Sequence, residues 1–326
     1  MKQIFVMICL LTAVSATAQS LKPSDLAHTF SIVARDAKTG EMAVAVQSHW
    51  FSVGTSVSWA EAGVGAIATQ SFTNKSFGIR GLKLLKEGKT AQQTLDELLA
   101  ADEGRDVRQV AIVDNNGNVA AHTGKKCIQF ADHITGDQFS VQSNMMLIDQ
   151  VCAAMSKAYT ANSDQPLAER VLAALNAAQS VGGDIRGKQS AALLLVPAKS
   201  NGEPWNERSI DLRVDDNDEP LKELGRLLRV QQAYEHMNNG DLAVEVNDMQ
   251  KAMQEYGTAM EMQPENLEMQ YWTAVTLANS KQLDKALPMF KKIFKADKNW
   301  KELTRRLPVA GLLNVSAEDL AKIMAL

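Results

Sequence analysis

Ser48 and His49 set a hydroxyl beside an imidazole, the groups most often joined when a base activates a nucleophile. They follow the apolar run Met42-Ala43-Val44-Ala45-Val46, which reads as a strand, and adjacent strand residues point to opposite faces. A direct Ser48/His49 dyad is therefore excluded, and His49 reads more simply as a loop or interface side chain. Gln70 and Ser71 close a second strand-like run, where Gln70 either donates to an oxyanion or an amide substrate or makes a turn hydrogen bond. Asn144 ends the run Phe139-Ser140-Val141-Gln142-Ser143 and is either an oxyanion donor or the cap of the helix that follows. In Gly183-Asp184-Ile185-Arg186-Gly187, Arg186 can take a carboxylate in a bidentate grip oriented by Asp184, or the two can pair internally and hold the turn.

Other polar clusters point to no cofactor or metal. Asp215-Asp216-Asn217-Asp218 lacks the glycine and closing glutamate of a calcium loop and reads as a solvated turn before a helix. The five histidines are scattered, and no Cys/His spacing suits zinc.

The elements that must position these residues come in runs. Thr29 to Arg35 and Met42 to Val46 flank the turn signal Asp36-Ala37-Lys38-Thr39-Gly40 and predict a hairpin. A small-residue strand follows over Gly63 to Gln70, then a helix from Ser76 to Lys86 and another beginning at Thr90. Strands over Arg108 to Val113 and Val119 to Thr123 are joined through Asn116-Gly117, a strong hairpin signal. A strand over Gln138 to Asn144 precedes helices near Ile148 to Thr160 and Pro166 to Gln179, and strands near Ser190 to Val196 and Ser209 to Val214 end the pattern. Helices paired between runs of strands argue against a doubly wound parallel sheet. An α+β fold is expected: a four-layer α-β-β-α sandwich.

With 326 residues the chain is about twice a typical domain, and two units are expected. Hydrophobic residues at 45% and charged residues at 22% supply a core without a signature of disorder. A net charge of -4 with no long block of like charge gives no support to nucleic-acid binding.

Residues 1–18 read as a signal peptide, with Lys2, the apolar Ile4 to Leu11 and the cleavage site Ala16-Thr17-Ala18. The apolar stretch is well short of the ~20 residues a bilayer requires. A mature chain from Gln19, periplasmic or secreted and without a membrane span, is the expectation, with residues 19–27 as a polar leader. Export would permit a disulfide between Cys127 and Cys152, although Cys152 falls on an amphipathic helix where a buried thiol is the simpler reading.

Beyond Pro220 only helix formers remain. A 34-residue offset relates Ala252, Tyr256 and Ala259 to Ala286, Phe290 and Ile293, and Gly240 to Ala274; this spacing resembles the tetratricopeptide repeat. The expected division is a sandwich over residues 28–220 and an all-α helical-repeat domain over 221–326, with Val309 to Leu326 capping its far end.

Several blocks carry a resemblance over about Thr29 to Leu228. They include His28-Thr29-Phe30-Ser31-Ile32-Val33-Ala34-Arg35-Asp36, Gln47-Ser48-His49-Trp50-Phe51-Ser52-Val53-Gly54, Thr69-Gln70-Ser71 and Gly182-Gly183-Asp184-Ile185-Arg186-Gly187. Together they resemble the domain-of-unknown-function 1028 family, which has an N-terminal-nucleophile-hydrolase-like fold. That fold class implies amide hydrolysis by a first-residue Thr, Ser or Cys whose own α-amine is the base. The resemblance makes Thr29 the implied nucleophile, with Gln70 and Asn144 as catalytic partners and Ser48, His49, Ser71, Asp184 and Arg186 as substrate contacts. Ten residues, Gln19 to His28, stand before Thr29 after signal cleavage, and an amide nitrogen cannot act as the base. The expectation is an exported amidohydrolase of a small amide, peptide or cell-wall-derived substrate, dependent on a second cut, with a protein or peptide partner on the repeat. The alternative is a non-catalytic ligand- or peptide-binding protein.

Overall fold

The computed structural model describes residues 26–27 and 29–326. The expected signal segment and the leader up to Asp25 lie outside the described residues, as does His28.

Two antiparallel sheets form the first part of the chain. One joins β1 (Leu26–Ala27), β5 (Gly65–Phe72), β6 (Arg108–Asp114) and β7 (Val119–Thr123) in that order, with β4 (Ser58–Glu61) also on β5. The other runs β11 (Ile210–Val214), β10 (Ser190–Val196), β3 (Met42–Ser48), β2 (Thr29–Arg35), β9 (Phe139–Ser143) and β8 (Asp132–Gly136). The β2–β3 register places Thr29 opposite Ser48 and Arg35 opposite Met42. Local chemistry sets the turns. Asp36 Oδ1 accepts from the Lys38 and Thr39 N–H groups, both at 2.8 Å, and Asp114 Oδ1 accepts from Asn116 and Asn118 N–H, both at 2.9 Å.

Alternation along each strand feeds two different layers, which is why these strands are buried on both faces. Phe30, Ile32 and Ala34 of β2 point outward into an apolar cluster with Met155, Val171, Leu175 and Ala178 of α4 (Val151–Ala161) and α5 (Leu167–Ser180). On the first sheet, Ile67, Val110 and Ile112 pack outward against Phe77 and Leu85 of α2 (Ser76–Lys86) and Leu95 and Leu98 of α3 (Ala91–Ala100). Thr90 caps α3 by accepting from Gln93 N–H at 3.3 Å, while the Gln93 side chain accepts from Thr90 N–H at 3.0 Å. Val33, Val44, Val46, Ala66, Ala68 and Ala111 fill the space between the sheets. Helices thus cover the outer faces of two sheets packed face to face.

Four short elements escape the sequence pattern: β1, which falls within the expected leader, β8, β4 and the one-turn helix α1 (Gly54–Val57). In β8, Asp132 and Thr135 are exposed, and an edge strand of such composition lacks the apolar alternation that identifies inner strands.

The C-terminal region is helical throughout. The long helix α6 (Pro220–Glu245) begins inside the sandwich, with Leu221, Leu224 and Leu228 buried in the cluster beneath α5. Further along it packs Ala233, Met237 and Ala243 against Ala252, Tyr256 and Ala259 of α7 (Met249–Met262). A Cβ on Gly240 would fall 2.4 Å from the Tyr256 ring, so this crossing requires a glycine. Next come α8 (Leu267–Asn279), α9 (Leu283–Ala296), α10 (Asn299–Arg306) and α11 (Ala317–Met324). Tyr271, Ala274, Ala286, Phe290, Ile293 and Ile323 share one cluster, in which the Tyr271 and Phe290 rings meet edge to face at 5.9 Å. Among the described residues no helix is long and apolar enough to cross a membrane.

Candidate active site

Followed along β2, β3, β10, β5 or β6, the layer between the sheets changes from apolar to polar. The inner positions of β3 run Met42, Val44, Val46, Ser48; those of β10 run Val196, Leu194, Ala192, Ser190; those of β2 run Val33, Ser31, Thr29. The first sheet answers with Ala66, Ala68, Gln70 on β5 and Val113, Ala111, Gln109 on β6. All the polar ends lie at the same end of the sandwich, and all are buried. Buried polar atoms must find partners; Ser190 finds the Trp50 carbonyl and the Val53 N–H, and most of the others find one another.

The Thr29 hydroxyl donates to Ser48 Oγ at 3.1 Å. Its carbonyl accepts from Asn144 N–H at 3.0 Å, from Asn144 Nδ2 at 3.4 Å and from Gln70 Nε2 at 3.3 Å. Both amides also donate to Gln109 Oε1, Gln70 at 2.7 Å and Asn144 at 2.9 Å. Gln109 Nε2 donates in turn to Thr123 Oγ1 at 2.9 Å and to the Ser143 carbonyl at 2.9 Å. Ser31 bridges the sheets, donating to Gln70 Oε1 at 2.6 Å and accepting from Gln142 Nε2 at 2.6 Å. The result is an amide and hydroxyl network focused on the first residue of β2.

Four of the expected site residues, Thr29, Ser48, Gln70 and Asn144, therefore meet directly. Gln70 makes no turn hydrogen bond, and Asn144 does not cap α4, whose N-cap is Gln150. Ser71, buried at the end of β5, takes a left-handed backbone with φ 69°, a conformation that costs energy for a residue with a side chain. Asp184, Arg186 and His49 lie at the same end but are engaged elsewhere. Asp184 Oδ2 accepts from Arg186 Nη2 at 2.6 Å and from His49 N–H at 3.2 Å, and Asp184 Oδ1 accepts from Arg186 Nε at 3.0 Å. That is the internal ion pair, which ties the 183–187 turn to the end of β3. The His49 ring faces the Lys188 carbonyl at 3.4 Å, turned away from the Ser48 hydroxyl.

A family model matches residues 29–224, from the first residue of β2 into α6. The chain belongs to the family of unknown function DUF1028. Among solved structures it is similar to the DUF1028 protein SPO2555 of Silicibacter pomeroyi, with 31% identity and a TM-score of 0.56 over 62% of this chain and 85% of that one. A weaker likeness, to Anbu (ancestral beta-subunit) of Yersinia bercovieri, has 12% identity and a TM-score of 0.31 over 60% of this chain and 91% of that one, too loose to inform the fold. No curated protein matches.

Beside the network the DUF1028 domain carries a cavity of about 590 Å³, lined by Thr123, Cys127, Phe130, Asp132, His133 and Ser143 among others. The Thr123 hydroxyl and His133 Nδ1 lie 2.8 Å apart. Burial pulls the His133 pKa below its ordinary value, against the opposing charge of Asp132. Among the described residues the two cysteines, Cys127 and Cys152, form no disulfide. Burial pushes Cys127 upward and Cys152 to about 12, so neither forms a thiolate readily. Ser31, Gln109, Gln142, Thr123 and His133 are site residues that the sequence reading missed. Ser31, Gln109 and Thr123 carry a usable signal, since each shares its strand's inner-face parity with Val or Ala.

Proposed function

We propose that the polar end is the active site of a threonine-nucleophile amidohydrolase, exposed when the chain is cut between His28 and Thr29. The observation that carries this reading is the placement of Thr29 at the first position of a central strand, its hydroxyl held by Ser48 at the focus of the buried amide network. In the cut, Thr29 Oγ attacks the His28 carbonyl carbon, the peptide C–N bond breaks and the departing Thr29 nitrogen takes the hydroxyl proton. Water then hydrolyses the ester, leaving a His28 carboxylate and a Thr29 with free hydroxyl and free amine. From then on the amine serves as base for the hydroxyl of its own residue.

On this reading Gln70 and Asn144 are positioning residues, because their amides hold the Thr29 carbonyl and fix the direction of its side chain. The substrate class follows from β1. Leu26 and Ala27 pair antiparallel with Phe72 and Ser71, so the chain on the acyl side of the bond to be cut lies extended along β5. An extended peptide or peptide-like amide suits that edge after the leader has left. The sandwich belongs, in this proposal, to the N-terminal-nucleophile-hydrolase class, and residues 1–18 direct export.

The complete burial of Thr29 and the pairing of Leu26–Ala27 favour a second reading, in which the leader stays attached and the protein binds without catalysis. The N-terminal residue of protein recovered from its native compartment decides between them. Thr29 as residue one supports the hydrolase, whereas Gln19 as the sole start overturns it. Thr29→Ala should abolish both the second cut and turnover of an amide library; unchanged behaviour in both removes Thr29 from the site.

We read α6 to α11 as two degenerate tetratricopeptide-like repeats that bind a protein or peptide, a separable module beyond Leu228. A chain ended after Arg229 should unfold cooperatively. One ended after Glu219 should not, since it loses three buried leucines at about 1.5–3 kcal/mol each.

A further inference from the structure

The side of the sandwich on which β4 and β11 are edge strands carries a groove that the polar-end site does not use. A cavity of about 260 Å³ between them is lined by Gly54, Ser58, Trp59, Arg208, Asp211 and Arg213, among others. It continues into a second, of about 560 Å³, through the shared residues Trp59, Ala60, Leu82 and Arg208. Gly54 gives the Arg213 stem its place in the wall, because a Cβ there would lie 3.1 Å from Arg213 Cγ and 2.5 Å from Ala192 Cβ.

The polar groups at the inner end are incompletely matched. Two guanidiniums share one carboxylate: Arg208 Nη1 donates to Asp211 Oδ2 at 2.6 Å, and Arg213 Nε lies 3.3 Å from Asp211 Oδ1. Arg213 Nη1 and Nη2 and Arg208 Nε and Nη2 have no other partner among the described residues. One positive charge is left over, with an unused donor edge of the kind that grips a carboxylate in two parallel bonds. The Ser58 hydroxyl in the same wall is buried and makes no hydrogen bond. Further along, the lining turns apolar with Trp59, Leu82 and the exposed Ile79. The Trp59 ring is fixed there by its Nε1 donation to the Ser56 carbonyl at 3.1 Å. The carboxylates at the outer mouth are already committed, Glu61 to Lys86 and Glu207 to Ser200 and to the N–H groups of Asn201 and Gly202.

We propose that this groove binds a monocarboxylate bearing an apolar tail, with the carboxylate on Arg208 and Arg213 and the tail along Trp59 and Leu82. The combined cavities fall in the size range of small-molecule sites, about 300–1,000 Å³. A free aliphatic acid and the C-terminus of a peptide with apolar last residues present the same chemistry.

The test is intrinsic tryptophan fluorescence of the full chain titrated with octanoate, with N-acetyl-Leu-Leu and with octanamide as the uncharged control. Saturable binding of octanoate or of N-acetyl-Leu-Leu, at least tenfold tighter than octanamide, is expected. The better of the two acids identifies the source of the ligand. Arg213→Ala should weaken binding at least tenfold with circular dichroism and melting unchanged, Arg213→Lys should restore part of it, and Trp59→Phe should remove the emission change. Octanamide binding as well as octanoate, or no saturable response to either acid up to about 10 mM, well beyond a useful Kd, overturns the proposal. Should Arg213→Ala fail to fold, the comparison of acid with amide on the native chain still decides. Thr29→Ala must bind the acid like the parent, which keeps this result separate from the fate of the polar-end hydrolase.

Discussion

Two ends of one inter-sheet layer are built on opposite principles. Around Met42, Val44, Val113 and Val196 the sheets are joined by close-packed aliphatic side chains that need no partner and impose no direction. Around Thr29, Gln70, Gln109 and Asn144 the same sheets are joined by directional hydrogen bonds, each with one satisfactory geometry. Aliphatic burial supplies free energy, at roughly 25 cal/mol per Å² of apolar surface, whereas a satisfied buried hydrogen bond adds only about 1 kcal/mol net and costs more when broken. The polar end thus contributes little to holding the sheets together and much to fixing where atoms sit. That difference is the physical reason to look for chemistry there.

The comparison can be tested at either end. Met42→Ala should cost most, about 2–5 kcal/mol by urea unfolding, and on the proposed function it should leave the cut before Thr29 and amide turnover intact. Gln109→Leu should cost less, about 1–3 kcal/mol for the amides left with fewer partners, yet it should slow or abolish the cut because Gln70 and Asn144 lose the anchor that aims them at Thr29. If both substitutions change stability and processing in proportion, the two ends do not divide the labour. Thr29→Ala should cost only about 1 kcal/mol, the worth of one hydrogen bond, and still remove processing entirely.

The smallest effect concerns two ion pairs that latch the opposite ends. Burial alone would raise the Asp36 pKa above 3.8, but hydrogen bonds from Thr39 and Lys38 and the charge of Arg170 hold it lower. Asp102 behaves likewise: its burial is outweighed by Arg108, which donates to it at 2.7 Å, and by Gly104 N–H. A carboxyl depressed on folding stabilises the protein above its unfolded value and loses that contribution as pH falls through the folded value. Stability should therefore decline in acid below about pH 4. Asp36→Asn and Asp102→Asn should each flatten part of that decline in pH-dependent urea midpoints; an unchanged acid limb in the double variant would show that neither latch matters.

The sequence made the strands legible wherever burial on both faces forced continuous apolar residues, as in Ser190 to Val196, and the turns wherever Asp and Gly did local work. It concealed β8, whose charged edge composition imitates a loop, and α1 and β4, too short for any period to register. At the site, Ser48, Gln70 and Asn144 were visible because each stands at the close of a recognisable apolar run, and Thr29 because the family resemblance points to the first residue of its strand. Gln109 shares its parity with Ala111 and Val113 and was readable in principle, whereas Gln142 alternates with Ser140, and only the pairing of β9 on β2 shows that it faces inward. No local pattern reports which of two partners a side chain selects, so the Asp184–Arg186 pair and the turned-away His49 ring needed coordinates.

The 26 residues of α6 form a single helix, roughly 39 Å long at 1.5 Å per residue, that starts under the second sheet and ends among the terminal helices. Such a member acts as a strut. It transmits twist and thrust where a flexible tether would dissipate them, so a partner bound by the tail, as proposed above, would be presented to the sandwich at one bearing and one reach. Selection among partners would then include their length and stiffness as well as their surface chemistry.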